Sequence, residues 1–296
     1  MTNSTAAPQH GKRNVHFGDA VILALLLLWG LIILYPFYNC ILVSIVPQRV
    51  YIRQPFMLYP PVLDFSSYQF IFAWKQLFYG FRTTLIVLFA GVPYNLFLTI
   101  TMAYVLSKPI PGRKAVNFFV MFTMFFQGGL IPGFLLIKNI GLMDSYLSMI
   151  LPYGVGIMNM MIMRSYFRTI PLELEEAARL DGAGEYSILF RIYLPLSKPM
   201  LATITLYYSV DRWNEWYNGM LYMRTVSKWP LQLFLRNLLA STTSVVNQIP
   251  DSVRPIVFAQ GIQMAAVVVT VVPIAILYPF LQKYFVKGLT LGGMKG

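Results

Sequence analysis

Pro171-Leu172-Glu173-Leu174-Glu175-Glu176-Ala177-Ala178-Arg179-Leu180-Asp181-Gly182-Ala183-Gly184 is the most acidic stretch of a chain that is otherwise dominated by apolar runs. Pro171 suits a first helical turn, and Glu173, Glu175 and Glu176 follow where the helix dipole favours anions. The spacing therefore predicts a short helix. Ala177 and Ala178 give it a smooth face for close approach, and Gly182 permits the left-handed or tight geometry that ends it. From Glu185 to Leu194 a second helical pattern appears, with Ile188, Leu189, Ile192 and Tyr193 on one face. Pro195 and Pro199 are expected to stop this helix. The loop at 168–199 thus reads as a helix–turn–helix with an acidic, small-residue tip, and an ordinary amphipathic surface loop is the plainer alternative.

Outside this loop the solvent is a bilayer. Hydrophobic residues make up 57% of the 296-residue chain and charged residues only 11%, against roughly 45–50% and about 25% in soluble proteins. A bilayer core of about 30 Å needs roughly 20 apolar residues per helix, because backbone groups must bond internally there. Six segments qualify, near residues 20–46, 80–106, 116–137, 146–167, 200–221 and 260–285. The expected fold is an all-α integral membrane protein with one permease domain at 20–285. It is flanked by an N-terminal tail, 1–19, and a C-terminal tail, 286–296. Lys12 and Arg13 before an apolar run imitate a signal peptide, but the run is too long for one and has no clear cleavage site.

Composition also closes off several classes of function. The formal charge of +12 is scattered between apolar runs and does not form the contiguous stripe a phosphate backbone requires, so nucleic acid is not an expected partner. Cys40 is the only cysteine, which excludes an intrachain disulfide and a cysteine metal cluster. His10 and His16 lie in the polar tail, and no nucleophile, base or metal constellation is evident, so no catalytic residue or metal is expected. No phosphate-binding G-x-x-x-x-G-K-[ST] loop is present, and any ATP and Mg must be bound by another chain.

The acidic loop resembles the EAA motif of ATP-binding-cassette importer permeases, whose pattern is E-A-A, three residues, G, nine residues, I-x-L-P. Here Glu176-Ala177-Ala178, Gly182 and Ile192-Tyr193-Leu194-Pro195 meet every spacing. The resemblance implies a coupling helix seated in a cleft of an ATPase. Glu175, Glu176 and Asp181 would be its polar contacts, Ala177 and Ala178 its packing surface and Gly182 its turn, with Ile192, Leu194 and Pro195 completing the motif. Asp181-Gly182-Ala183 and the tail Lys287–Gly296 are similar to those of the carbohydrate branch, which includes the maltose permease. The partners implied are a second permease subunit, two ATPase subunits, an extracytoplasmic solute-binding protein, an oligosaccharide and membrane lipid. Pairing of this chain with itself is left open. The location implied is the bacterial cytoplasmic membrane with both termini cytoplasmic. Thirteen of the 23 Lys and Arg fall on the inner side in that orientation, which favours it modestly.

The densest polar cluster in an apolar context is Asp211-Arg212-Trp213-Asn214-Glu215-Trp216-Tyr217-Asn218. Ionisable groups at membrane depth are costly and face a cavity or a partner charge. Asp211 and Glu215 share a helical face, Trp213 and Trp216 offer apolar rings to a sugar, and Asn214 and Asn218 offer amides to hydroxyls. Sugar permeases resemble this chain here, which makes the cluster a candidate substrate pathway. The plainer reading is an interfacial aromatic belt with a structural Asp–Arg pair. Asn95, Gln127, Asn159 and Gln263 read as interhelical hydrogen-bonding residues. Leu231–Leu239 reads as an amphipathic piece, either a re-entrant scoop or a surface-packed helix.

On the outer side the bases exceed the acids by five, so an acidic (uronate) oligosaccharide is one candidate cargo, and docking of an acidic binding protein is the other use of that charge. A non-sugar solute and an ATPase-independent channel or carrier are the competing functions.

Overall fold

The computed structural model describes residues 17–126, 128–240 and 258–293, with side chains as far as residue 276. The first tail (but for its last residues), Gln127, Asp251 and Arg254 lie outside the described residues, as do the side chains of the glycine-rich end. Everything regular within them is helical. In chain order the helices are α1 Phe17–Ser44, α2 Gln48–Arg53, α3 Ser66–Ala73, α4 Lys75–Ser107, α5 Arg113–Phe125, α6 Leu130–Asn139, α7 Leu147–Ile150 and α8 Ile157–Phe167. There follow α9 Leu172–Leu180, α10 Glu185–Ile188, α11 Leu194–Leu196, α12 Lys198–Trp213, α13 Tyr217–Tyr222, α14 Leu231–Ala240 and α15 Ala259–Gly293.

Three of these, α1, α4 and α15, are long and apolar enough to cross a membrane. The expected third and fourth spans are each a pair of helices bent by more than 40°, and counting each pair as one span gives five. Breaks at Gly128-Gly129 and at Pro152–Gly156 cause the bends, as glycine and proline do where neighbours satisfy the released backbone. The fifth expected span, 200–221, differs most. It begins as the 16-residue α12, stops at Asn214, and resumes as the six-residue α13. By length and composition the described chain therefore has three to five candidate spans, fewer than the six read from hydropathy.

Packing forms two main apolar centres. At the end bearing the acidic loop, Ala103, Tyr104, Met160, Met163, Phe167, Ile188, Tyr193 and Ile204 are buried together. Tyr104, Phe167 and Tyr193 meet edge to face, all within 6.3 Å, a favoured geometry for aromatic rings. At the opposite end Ile71, Leu77, Trp213, Leu231, Phe234, Ile262 and Ala266 form the second centre. The amphipathic piece is helix α14, which buries Leu231, Leu233, Phe234 and Leu238. Its first N–H, from Leu231, donates to Thr84 Oγ1 at 2.9 Å.

α4 runs between the two ends. Its last turn, at Tyr104, packs in the loop-end centre, and Leu77 in its first turn packs in the other. Pro93 sits on its exposed side without interrupting the helix.

Candidate functional sites: the acidic loop and a cleft

α9 ends as the sequence demands. Asp181 follows its last turn, Gly182 adopts φ = 81°, Gly182 N–H donates to Arg179 O at 3.0 Å and Ala183 N–H to Ala178 O at 2.9 Å. This pair of bonds is a Schellman motif, which needs the left-handed residue that glycine supplies without steric cost. The turn projects Leu180 and Tyr186, 89% and 82% exposed, beyond the body of the chain. Glu176, Ala177, Asp181 and Pro195 are exposed beside them. Ala178, Ile192 and Leu194 face inward and pack on the loop-end centre.

Glu175 departs from the expectation of a solvent-facing contact. Its side chain is only 4% exposed, and it accepts hydrogen bonds from Lys108 Nζ, from Tyr193 OH at 2.7 Å and from Arg179 Nη2 at 2.9 Å. Burial pushes its carboxyl up, but these donors outweigh burial and hold it below the usual carboxylate range. Lys108 also lies 4.1 Å from the centre of the Tyr193 ring and 4.5 Å from that of Tyr104. Arg179 bridges on to Glu185, which accepts from Tyr104 OH at 2.6 Å. The Tyr104 hydroxyl holds Glu185 below the usual range, against burial and with help from Arg179. The loop is thereby clasped to the end of α4.

The second helix of the loop does not stop at its prolines. α10 widens into a five-residue π turn, Leu189–Tyr193, which runs on without a break into α11, so that Pro195 lies directly after the widened turn. The chain then pauses at Ser197 and enters α12.

A cleft of ≈ 500 Å³ opens near the far end of α12. Thr123, Pro152, Tyr153, Val155, Gly156, Ile157, Tyr208, Asp211, Arg212, Glu215 and Asn218 line it. Its centre is Arg212, which is 4% exposed. Arg212 donates through Nε to Asn95 Oδ1 at 3.0 Å, through Nη1 to Met149 O at 2.6 Å, and through Nη2 to Ile150 O at 3.3 Å and Tyr153 O at 3.1 Å. Asn95 Nδ2 donates to Tyr153 O at 2.6 Å and Gly154 O at 2.8 Å. On the other side of the break, Gly156 N–H donates to Tyr208 OH at 2.9 Å, and that hydroxyl also meets Thr99 Oγ1 at 2.6 Å. Together these groups satisfy the backbone freed where α7 gives way to α8. Glu215 stands 4.0 Å from Arg212 and holds the first turn of α13 by accepting from Asn218 N at 3.1 Å.

Four of the seven expected pathway residues, Asp211, Arg212, Glu215 and Asn218, line this cleft. Trp213 does not. It lies two residues after Asp211, about 200° around the helix, and is buried edge to face with Phe81 at 6.2 Å. Asn214 is exposed and bonds back to Val210 O. Trp216 sits beyond the break in the helix, under the Arg236 guanidinium at 4.4 Å.

Sequence reasoning missed Tyr153 and Tyr208 in the cleft, Thr99 buried behind Tyr208, and Lys108 and Tyr193 under the loop. The Pro152-Tyr153-Gly154 interruption of an apolar run was the one signal available for the first group.

A family model described as the binding-protein-dependent transport system inner membrane component matches residues 70–291. The polygalacturonan/rhamnogalacturonan transport system permease protein YtcP of Bacillus subtilis (strain 168) is 37% identical over 283 residues, which cover 94% of this chain and 98% of its own. The arabinooligosaccharides transport system permease protein AraQ of Halalkalibacterium halodurans is 30% identical over 273 residues, 90% of this chain and 92% of its own. A crystal structure of a bacterial ABC transporter involved in the import of the acidic polysaccharide alginate contains a chain that superposes with a TM-score of 0.84 at 32% identity, covering 94% of this chain and 100% of that one. The chain belongs to the binding-protein-dependent transport system inner membrane components, in their carbohydrate-uptake branch, as a non-catalytic multi-pass permease whose ATPase is a separate subunit.

Proposed function

We propose that this permease forms one side of the pathway of an importer for acidic, uronate-containing oligosaccharides, working by alternating access with a second permease subunit, two ATPase chains and a solute-binding protein. The acidic loop at 168–199 then lies in the cytoplasm with both chain termini, and Glu176, Asp181, Leu180 and Tyr186 at its tip meet the ATPase. The observation that carries the cargo is the charge of the opposite end. Arg49, Arg53, Lys75, Arg82, Lys138 and Arg224 are exposed there and have no carboxylate partner among the described residues, whereas Lys228 and Arg212 are matched by Asp144 and Glu215. Such an excess draws anions towards the mouth of the pathway. Inside the cleft, Asp211, Glu215 and Asn218 present acceptors and an amide that suit sugar hydroxyls. Relatives whose names cite polygalacturonan and rhamnogalacturonan, and a solved importer of alginate, agree with this reading.

Uptake by the assembled transporter of oligogalacturonides against neutral maltooligosaccharides tests it. Preference for the acidic set is expected, and preference for the neutral set overturns the assignment. The tip is tested separately: Glu176→Ala should abolish copurification of the ATPase.

A further inference from the structure

The two sites are fastened to one helix. At the loop end, Lys108, the residue that closes α4, is 12% exposed and holds Glu175 of α9, while Tyr104 of the last turn holds Glu185 of α10. Further along α4, Thr99 meets Tyr208, Asn95 meets Arg212 and the carbonyls of Tyr153 and Gly154, and Gly91 is backed by Arg212. A methyl at Gly91 would stand 3.0 Å from Arg212 Nε, so the guanidinium rests directly on the helix backbone. Asn95 and Lys108 are about 20 Å apart along a helix rising about 1.5 Å per residue. Between them the hydrogen-bonded helix is unbroken.

A displaced loop has two routes to the cleft. One passes through the π turn and α11 into α12, interrupted by the pause at Ser197. The other is the clasp and α4, and it contains no pause. A π turn next to a proline is a compliant joint. The buried Glu175, held by three residues, is a stiff one, because separating it from Lys108 would leave that 12%-exposed ammonium without a carboxylate partner.

From this the geometry points to α4 as the element that transmits the stroke of the ATPase to the cleft, with Lys108 and Glu175 as positioning residues at its driven end and Thr99 and Asn95 at its working end. The cleft segment Pro152–Ile157 would follow α4, because Asn95 and Arg212 hold its carbonyls and Tyr208, which meets Thr99 of α4, accepts from Gly156 N–H. The inference rests on the reading that the acidic loop receives the ATPase. It adds that Glu175 works inward on the permease while Glu176, its exposed neighbour, works outward.

The test uses the complete transporter, with its ATPase and binding protein, in proteoliposomes, and reads cargo imported per ATP hydrolysed. Lys108→Met and Glu175→Gln remove the clasp charge by charge, Thr99→Val releases the working end with little change of shape, and Lys108→Arg keeps the clasp. The first three should retain the ATPase and its hydrolysis, yet import at least about fivefold less per ATP, the lower bound of ordinary intersite coupling. Lys108→Arg should stay near the parent ratio. The inference is overturned if import and hydrolysis fall by the same factor, if the ratio is unchanged, or if Lys108→Met and Glu175→Gln both fail to yield an assembled transporter, since the pair would then serve folding alone. Failure of the underlying reading looks different: Glu176→Ala would keep its ATPase.

Discussion

Glu175 and Arg212 are equally buried, each 4% exposed, and they solve the problem of a buried charge in opposite ways. Glu175 is matched by formal charges and a phenol, Lys108, Arg179 and Tyr193, close to the water-facing end of the chain. Arg212 is matched mainly by backbone carbonyls and one amide, with its carboxylate neighbour no closer than 4.0 Å. The difference follows from what each location lacks. A loop end has side chains of both signs to draw on. A broken helix strands carbonyls, and a planar fork of five donors is the group best able to collect them. The bonds that hold Glu175 can therefore respond to pH, and those between Arg212 and the backbone carbonyls cannot.

Replacing Arg212 should do the most damage. Arg212→Leu strands the carbonyls of Met149 and Ile150 and the Asn95 oxygen, and should cost about 3–5 kcal/mol, the range seen when one side of a buried charged site is removed. The expected outcome is loss of the folded permease, read as a collapse of its thermal transition in detergent. Arg212→Lys keeps the charge but one ammonium cannot span four acceptors, so it should recover only part of the loss. Full stability in Arg212→Lys would show that charge, and not the fork, is what the site needs.

Tyr208→Phe perturbs the same broken helix without touching charge. It removes the acceptor for Gly156 N–H and the partner of Thr99 at once. About 1–3 kcal/mol of stability should be lost, since a buried donor is left unpaired. Measuring the melting temperature beside that of Thr99→Val separates the two bonds, and Tyr208→Phe should be the lower.

How far these sites could be read in advance depends on where their partners lie in the chain. The tip was legible because Pro171, Gly182 and the inward residues Ile188, Leu189 and Tyr193 obey local rules of helix entry, exit and periodicity. The burial of Glu175 was not, because an acid in an acidic run reads as solvated and its partner Lys108 lies 67 residues earlier. Arg212 was singled out as costly, yet its role stayed hidden, since backbone carbonyls leave no mark on side-chain identity. Trp213 was misplaced because an aromatic in a polar cluster looks functional whatever its helical phase. α12 and α13 were joined into one span because hydropathy averages across a break at Asn214.

The loop site should titrate. Glu175 and Glu185 are both held below the ordinary carboxylate value of 4.5 in the folded chain. A depressed folded value means that each contributes stability fully above the unfolded value, and that this contribution is lost as pH falls through 4.5 and on through the folded value. Lys108 and Arg179 are the cations that face them. Resistance of the loop to proteolysis, followed from about pH 7 down to about pH 3, should therefore fall towards the acid end. Glu175→Gln should begin lower and titrate less, with Glu185 supplying the remainder. The bonds from Arg212 to the backbone carbonyls contain no titrating carboxylate and should contribute no pH dependence of their own.

The smallest effect tests whether the tip is set by its backbone or by its contacts. Gly182 adopts φ = 81°, and a Cβ built there meets nothing within 4 Å, so substitution introduces strain without any clash. Gly182→Ala should cost about 1 kcal/mol, the penalty for placing a Cβ in the left-handed region. Because both Schellman bonds depend on that φ, the cost is relieved if the tip reopens, which would displace Leu180 and Asp181 without disturbing the clasp at Glu175. Affinity for the ATPase should then drop about fivefold, the equivalent of that strain, while the melting temperature of the isolated permease barely moves. Gly182→Asn, which tolerates the left-handed region better than alanine, should fall between the two. Equal affinity for all three residues would mean that the ATPase reads the side chains around the turn and not the turn itself.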